Sequence, residues 1–244
     1  MDIGPHEGLL LVDKPAGLTS HDVVQAVRRH FRIAKVGHCG TLDPMATGLL
    51  LIVTGRATRL SQGLIGDDKE YFSTIRLGIA TSTHDAEGEI VSQRPVPQLT
   101  GDALRQALAR FTGDIYQTPP MVSAVKIDGQ RLYVMARRGQ EVERPARLIH
   151  IYAFELLAFT PPDLLEARVL CSKGTYVRTL ANDLGEELGC GAHLAALRRT
   201  RCGSFRLDQA RPLRDILTLA PQPAAIAPLL LPYRELLELV RRPS

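Results

Sequence analysis

At 244 residues, with 45% hydrophobic and 23% charged residues, the chain has room for one large domain or for one domain with a small appendage, and its composition is that of an ordinary globular protein. No apolar run approaches the ~20 residues that span a bilayer, Met1 to Glu7 lack the basic-then-apolar order of a secretory signal, and the four cysteines form no CxxC pair. This excludes a helical membrane protein and points to a reduced, cytoplasmic setting. A net charge of +4 with a pI near 9.0 suits a phosphate-bearing partner, while the absence of Trp and only 5% aromatic residues argue against a broad stacking surface.

In chain order, the apolar run Gly8 to Val12 predicts a buried strand, ended by turn residues at Asp13-Lys14-Pro15-Ala16-Gly17. Thr19 or Ser20 can cap a helix with Val23, Val24, Val27 and Phe31 on its apolar face. Residues 37–48 are punctuated by glycine and proline and read as turns. Leu49 to Val53 is a second buried strand, Thr58 to Leu64 a short helix, and Tyr71 to Leu77 an alternating strand. Residues 100–111 make an amphipathic helix. Val122 to Ile127 reads as a strand followed by an Asp128-Gly129 turn, and 131–138 as a short helix ended by Gly139. Strands follow near 148–159 and 164–171. Val177 to Leu188 is a helix stopped by Gly189, and a further helix is expected near 192–199. The pattern lacks steady strand–helix alternation, which predicts an α+β fold with a mixed, largely antiparallel central sheet flanked by helices and loops. After about 210, prolines scatter among Leu and Ala. We therefore expect a main domain over 1–210 and, over 211–244, a short, loosely structured tail or the stub of a further module, whose Ile226–Leu231 stretch could dock on the domain.

Metal sites find little support. Cys190 and His193 have a ligand-like spacing but no second pair, and Asp85 to Glu89 resembles a calcium loop without its remaining ligands. P-loop, GxGxxG and GxSxG patterns are absent. Asp43, in Gly40-Thr41-Leu42-Asp43-Pro44, stands out because Pro44 biases it toward extended geometry, as for a carboxylate held rigidly into a cleft. Asp-Pro is also a common turn cap, and the local sequence favours that reading. Ser172 to Arg178 marks a strand-to-helix junction where Tyr176 and Arg178 could meet a ligand.

Five ordered segments together resemble the bacterial tRNA pseudouridine synthase B (TruB) family: Gly8–Ser20, Lys35–Leu50, Lys69-Glu70-Tyr71, Pro119–Lys126 and Cys171–Arg178. The resemblance spans about residues 8–205. It implies a pseudouridine synthase fold and isomerisation of the T-loop uridine at tRNA position 55, with no cofactor and no metal. It also implies residue roles. Asp43 matches the catalytic carboxylate, Arg178 the arginine that pairs with it, and Tyr71 the catalytic tyrosine that packs on the target base and is implicated in proton transfer. His38 matches the histidine that enters the T-loop and fills the space of the flipped base. Asp85, Tyr176 and Leu197 match pocket-lining residues, and Lys14 and Pro15 a motif supporting the catalytic loop. The implied partner is tRNA, through its T-loop and T-stem, bound by a monomer. Family members usually carry a C-terminal RNA-binding module of the PUA type, for which too few residues remain after about 210. Attack by Asp43 on the base, attack on the ribose, and abstraction of a ribose proton all fit the residues. A synthase acting on another RNA and a non-enzymatic RNA chaperone are the competing readings. His38 speaks against the first of these, and the joint presence of Asp43, Tyr71 and Arg178 against the second.

Overall fold

The computed structural model describes residues 6–65, 67–123, 125–127, 129–136, 138–140 and 142–241. The chain forms two compact units, one of 1–70 with 198–244 and one of 71–197. The expected turn residue Asp128, the motif residue Ala124 and the first five residues lie outside the described set.

Strand β1 is Gly8–Lys14, helix α1 Ser20–His30, β2 Val36–Cys39, β3 Thr47–Thr54, α2 Ser61–Ile65 and β4 Lys69–Leu77. There follow β5 Ile79–Thr81, β6 Ile90–Gln93, α3 Gly101–Ala109, β7 Gly113–Gln117, β8 Lys126–Ile127, β9 Gln130–Arg131 and α4 Leu132–Ala136. Next come β10 Arg147–Thr160, β11 Leu164–Cys171, α5 Val177–Glu187, β12 Ala192–Cys202 and β13 Phe205–Arg206. The last elements are β14 Arg211–Pro212, α6 Leu213–Ile216, β15 Leu230–Pro232 and α7 Tyr233–Arg241. None of the helices described is long and apolar enough to cross a membrane.

In the first unit, β3 is the organising strand. Every residue from Gly48 to Val53 is buried, as its unbroken apolar run requires. From Gly48 on it pairs antiparallel with β1, from Gly8 opposite Thr54 to Lys14 opposite Gly48. Its other edge is shared: β2 pairs antiparallel with Leu51–Thr54, and the end of β12 pairs parallel with Thr47 and Gly48. Gly48 has φ +98, and a Cβ there would lie 2.3 Å from the Arg199 carbonyl oxygen, so only glycine admits this approach. Leu9, Leu49, Leu51 and Val53 are fully buried and pack with Cys39, Cys202 and Phe205, each large aliphatic chain contributing about 1.5–3 kcal/mol. Helix α1 begins in a capping box. The Asp22 amide donates to Thr19 Oγ1 at 3.0 Å, and the Thr19 amide donates to the Asp22 carboxylate at 2.9 Å.

The second unit is built on the strand order β4-β11-β10-β7. β10 pairs antiparallel with both β11 and β7. Helix α3 packs on β10, and Phe111, just past that helix, meets Phe154 edge-on at 6.3 Å. The sheet is mixed, since β1 and β14 run parallel, as do β12 and β3, while β1–β3, β10–β11 and β10–β7 run antiparallel.

Several elements differ from the sequence-based expectation. Residues 192–199 are strand, not helix. Ala and Leu favour helices, but these side chains belong to a strand paired with β3 and β13, and tertiary pairing outweighs a preference of a few tenths of a kcal/mol per residue. Val36–Cys39 is a strand inside the region read as turns. Among the described residues of the strand expected over 122–127, Lys126–Ile127 is strand, and Val122 and Ser123 are bends after Pro119-Pro120. The stretch after 210 is not loose. β14 and β15 both pair with β1, and Ile226 and Leu236 are fully buried.

Candidate active site

The predicted site residues divide between the units. Lys14, Pro15, His38 and Asp43 fall in the first, and Tyr71, Asp85, Tyr176, Arg178 and Leu197 in the second.

Asp43 lies half-buried in the loop between β2 and β3. Almost every peptide of this loop is pinned. The buried Arg199 guanidinium donates through Nη2 to the Gly40 carbonyl at 3.2 Å and through Nη1 to the Thr41 carbonyl at 3.5 Å, while its Nε donates to the Leu49 carbonyl at 2.7 Å. Ser20 Oγ takes both polar groups of the Leu42 backbone, accepting from its amide at 2.8 Å and donating to its carbonyl at 3.0 Å. The Asp43 carbonyl accepts from the Ala46 amide at 3.1 Å. The Pro44 carbonyl accepts from the Gly17 amide at 2.9 Å and from Lys14 Nζ at 3.2 Å. Lys14 is wholly buried, and its ammonium also donates to the Pro15 and Leu18 carbonyls at 2.9 and 2.6 Å. Two buried cations therefore hold the loop by its carbonyl oxygens, which supply the hydrogen bonds a buried charge needs. Gly40 has φ +88, a left-handed turn that starts the loop. His38 sits half-buried on β2 opposite Ile52.

In the second unit, Arg178 lies buried in the first turn of α5. Its Nη1 meets Asp85 Oδ2 at 3.0 Å, with both side chains at least 96% buried. Nη2 donates to the Val122 carbonyl, and the guanidinium lies 5.8 Å from the centre of the Tyr176 ring. The other carboxylate oxygen of Asp85 accepts from Thr83 Oγ1 at 2.5 Å and from the Glu87 amide at 3.1 Å. This gives the pair the additional hydrogen bonds that a buried ion pair requires. His84, just before Asp85, has φ +65, a region in which histidine is over-represented among non-glycine residues. Burial, and then the Arg178 guanidinium, push its imidazole below the usual histidine range, with Asp85 partly opposing. Tyr71 is buried on β4, and Leu197 half-buried on β12. Pro15 is exposed, and contributes its carbonyl to Lys14.

Two family models match the chain: the N-terminal domain of TruB family pseudouridylate synthase over residues 28–177, and the C-terminal domain of tRNA pseudouridylate synthase B over 178–238. The chain belongs to the TruB family of tRNA pseudouridylate synthases. Its relatives in the family include the tRNA pseudouridine synthase B of Opitutus terrae, 54% identical over 217 residues, a match covering 89% of each chain. That of Ralstonia pickettii is 52% identical over 241 residues, covering 96% of this chain and 74% of the relative. Among solved structures, a Cbf5-Nop10-Gar1 complex matches with a TM-score of 0.69 at 32% identity. An H/ACA RNP bound to a substrate RNA containing 2'-deoxyuridine matches with a TM-score of 0.66 at 29% identity. Each match covers 88% of this chain but only 55% and 53% of the solved chains, so the TruB-family chain spans about half their length.

The sequence reading missed three holding groups: Ser20, Arg199 and Gln117. Ser20 was read only as a possible helix cap. Arg199 ends the stretch expected as a helix; with β12 a strand, alternation puts Arg199 on the buried face and Arg198 out toward Asp13, at 2.7 Å. Gln117 carried no local signal.

Proposed function

We propose that this TruB-family chain converts the T-loop uridine at tRNA position 55 to pseudouridine, with Asp43 as the catalytic carboxylate. The observation carrying this reading is the loop Gly40–Pro44, whose backbone is fixed from Lys14, Ser20 and Arg199. A carboxylate held this way loses little entropy when it meets the reacting sugar or base. The names of the relatives support the substrate, because proteins named tRNA pseudouridine synthase B match this chain over 89% and 74% of their own length.

In this reading the target uridine leaves its stack, at a cost of a few kcal/mol. His38 offers a replacement face, and stacking of a base on such a ring contributes about 1–3 kcal/mol. The bond from ribose C1′ to N1 breaks, the uracil turns, and C1′ bonds to C5, which gives up its proton as N1 gains one. Atoms and electrons balance without a redox partner. Tyr71 packs on the base, Arg178 pairs with the carboxylate, Asp85, Tyr176 and Leu197 line the pocket, and Pro15 braces the loop with Lys14. The enzyme acts as a cytoplasmic monomer. Residues 1–210 carry the chemistry.

The deciding experiment incubates the protein with unmodified tRNA transcript and maps pseudouridine at single-nucleotide resolution. Product at position 55 is expected. Product only at another site, or none, overturns the assignment.

A further inference from the structure

We propose that Gln117 is a positioning residue that sets the pose of Tyr176 and Arg178 through a two-bond clamp on one peptide. The proposal rests on the reading of Arg178 and Tyr176 given above. Gln117 is the last residue of β7, in register with Arg147 on β10, and its side chain is buried. Its Oε1 accepts from the Tyr176 amide at 2.8 Å, and its Nε2 donates to the Tyr176 carbonyl at 3.1 Å. A neutral primary amide is the group that can do both at once.

The position of the clamp gives it its meaning. Tyr176 is the N-cap of α5, but its own side chain makes no capping bond. Its carbonyl also accepts from the Thr179 and Leu180 amides, so the same oxygen starts the helix. Arg178 follows two residues on. Fixing the Tyr176 peptide to the end of a sheet strand therefore fixes where the first turn of α5 begins, and with it the base of the Arg178 side chain.

The far end of that side chain is held by the same segment. Five residues after Gln117, the Val122 carbonyl accepts from Arg178 Nη2. Between them Pro119 and Pro120 are buried, and proline fixes φ. Residues 117–122 thus act as a strap with its two ends on one functional unit: a side-chain amide on the Tyr176 peptide, and a main-chain carbonyl on the guanidinium. Asp85 holds the guanidinium from a different loop. Asp85 supplies charge, and the strap supplies direction.

The test uses the full chain, unmodified tRNA transcript, and single-turnover rates beside tRNA dissociation constants. Gln117→Leu keeps the size but loses both bonds. Its rate is expected to fall about 10- to 100-fold, the scale of a misplacement near 1 Å, with little change in Kd. Gln117→Glu separates positioning from mere structure. Its carboxylate accepts from the Tyr176 amide but cannot donate to the carbonyl until it is protonated. Its rate relative to wild type should therefore be low at neutral pH and recover as pH falls, starting above the ordinary glutamate pKa of ~4.3 because the site is buried. A residue needed only for stability would shift the melting temperature without this pH signature. If Gln117→Leu does not fold, Gln117→Glu carries the test alone. A folded Gln117→Leu with wild-type rate, or a Gln117→Glu deficit independent of pH, overturns the clamp. Arg178→Ala is the control: if it is crippled while both Gln117 variants are not, only the clamp fails. If Arg178→Ala also turns over normally, the reading of Arg178 fails first.

Discussion

The Asp43 loop and the Arg178 cluster are both held rigidly, but by opposite means. Around Asp43 the holding groups are side chains of Lys14, Ser20 and Arg199, and what they hold is backbone. Around Arg178 the functional side chain itself is gripped, by the Asp85 carboxylate and the Val122 carbonyl. The first arrangement fixes the peptide rather than the side chain it carries. The second fixes a charge directly, so changing either partner changes the functional group itself.

The largest expected effect comes from changing the group that the loop presents. Asp43→Asn should keep fold and tRNA affinity but lower the single-turnover rate by ~10³-fold or more, as loss of a central catalytic group does. A variant retaining turnover would show that the pinned loop presents something else. Next, Asp85→Asn takes away the buried carboxylate that Arg178 Nη1 meets at 3.0 Å. The penalty should be about 3–5 kcal/mol in denaturant titration, the range for breaking a buried pair from one side. Lys14→Met removes the donor to three carbonyls while Gly17 still serves Pro44, and we expect about 3 kcal/mol of lost stability. Its rate should drop even in folded enzyme, because Asp43 is no longer fixed. If Lys14→Met is as stable as wild type, the loop is held by its own turn geometry, and the contrast between the regions weakens.

The smallest effect is a pH dependence confined to the Arg178 side. His84 is held below its usual pKa, so the folded chain resists a proton that the unfolded chain takes up near pH 6.5. Stability should therefore fall as pH drops below about 6.5, over a window set by the lowered folded value. His84→Asn, which tolerates the positive φ, should flatten the fall in melting temperature between neutral and mildly acid pH. An unchanged slope would assign the acid sensitivity to other groups.

The two regions also differ in how far they could be read from sequence. β1 and β3 were legible because two-sided burial leaves a continuous apolar run, and α1 because a cap at Thr19 or Ser20 precedes its apolar face; the structure settles on Thr19. Asp43 alone was not, since Asp-Pro is an ordinary turn; only its place among ordered motifs singled it out. β12 was misread because what decides it is pairing with residues far away in the chain, against a local Ala-Leu preference. Arg199 and Gln117 were invisible for a related reason. Both bond to backbone groups, which every residue has, so no complementary side chain in the sequence betrays them.

The pairing of β1 has a consequence for the order in which the molecule is assembled. The unit of residues 71–197 is one unbroken stretch and can close on itself as soon as it is made. The other unit is split. β1 is the first described strand to be synthesised, yet one of its edges is completed by β14 and β15, which come some two hundred residues later. Until then Gly8 to Asp13 presents an open, mostly apolar edge, the kind of surface that recruits stray strands. The part of the chain that braces the Asp43 loop is thus the last to be sealed, and early interruption of synthesis should leave aggregation-prone fragments before it leaves sluggish enzyme.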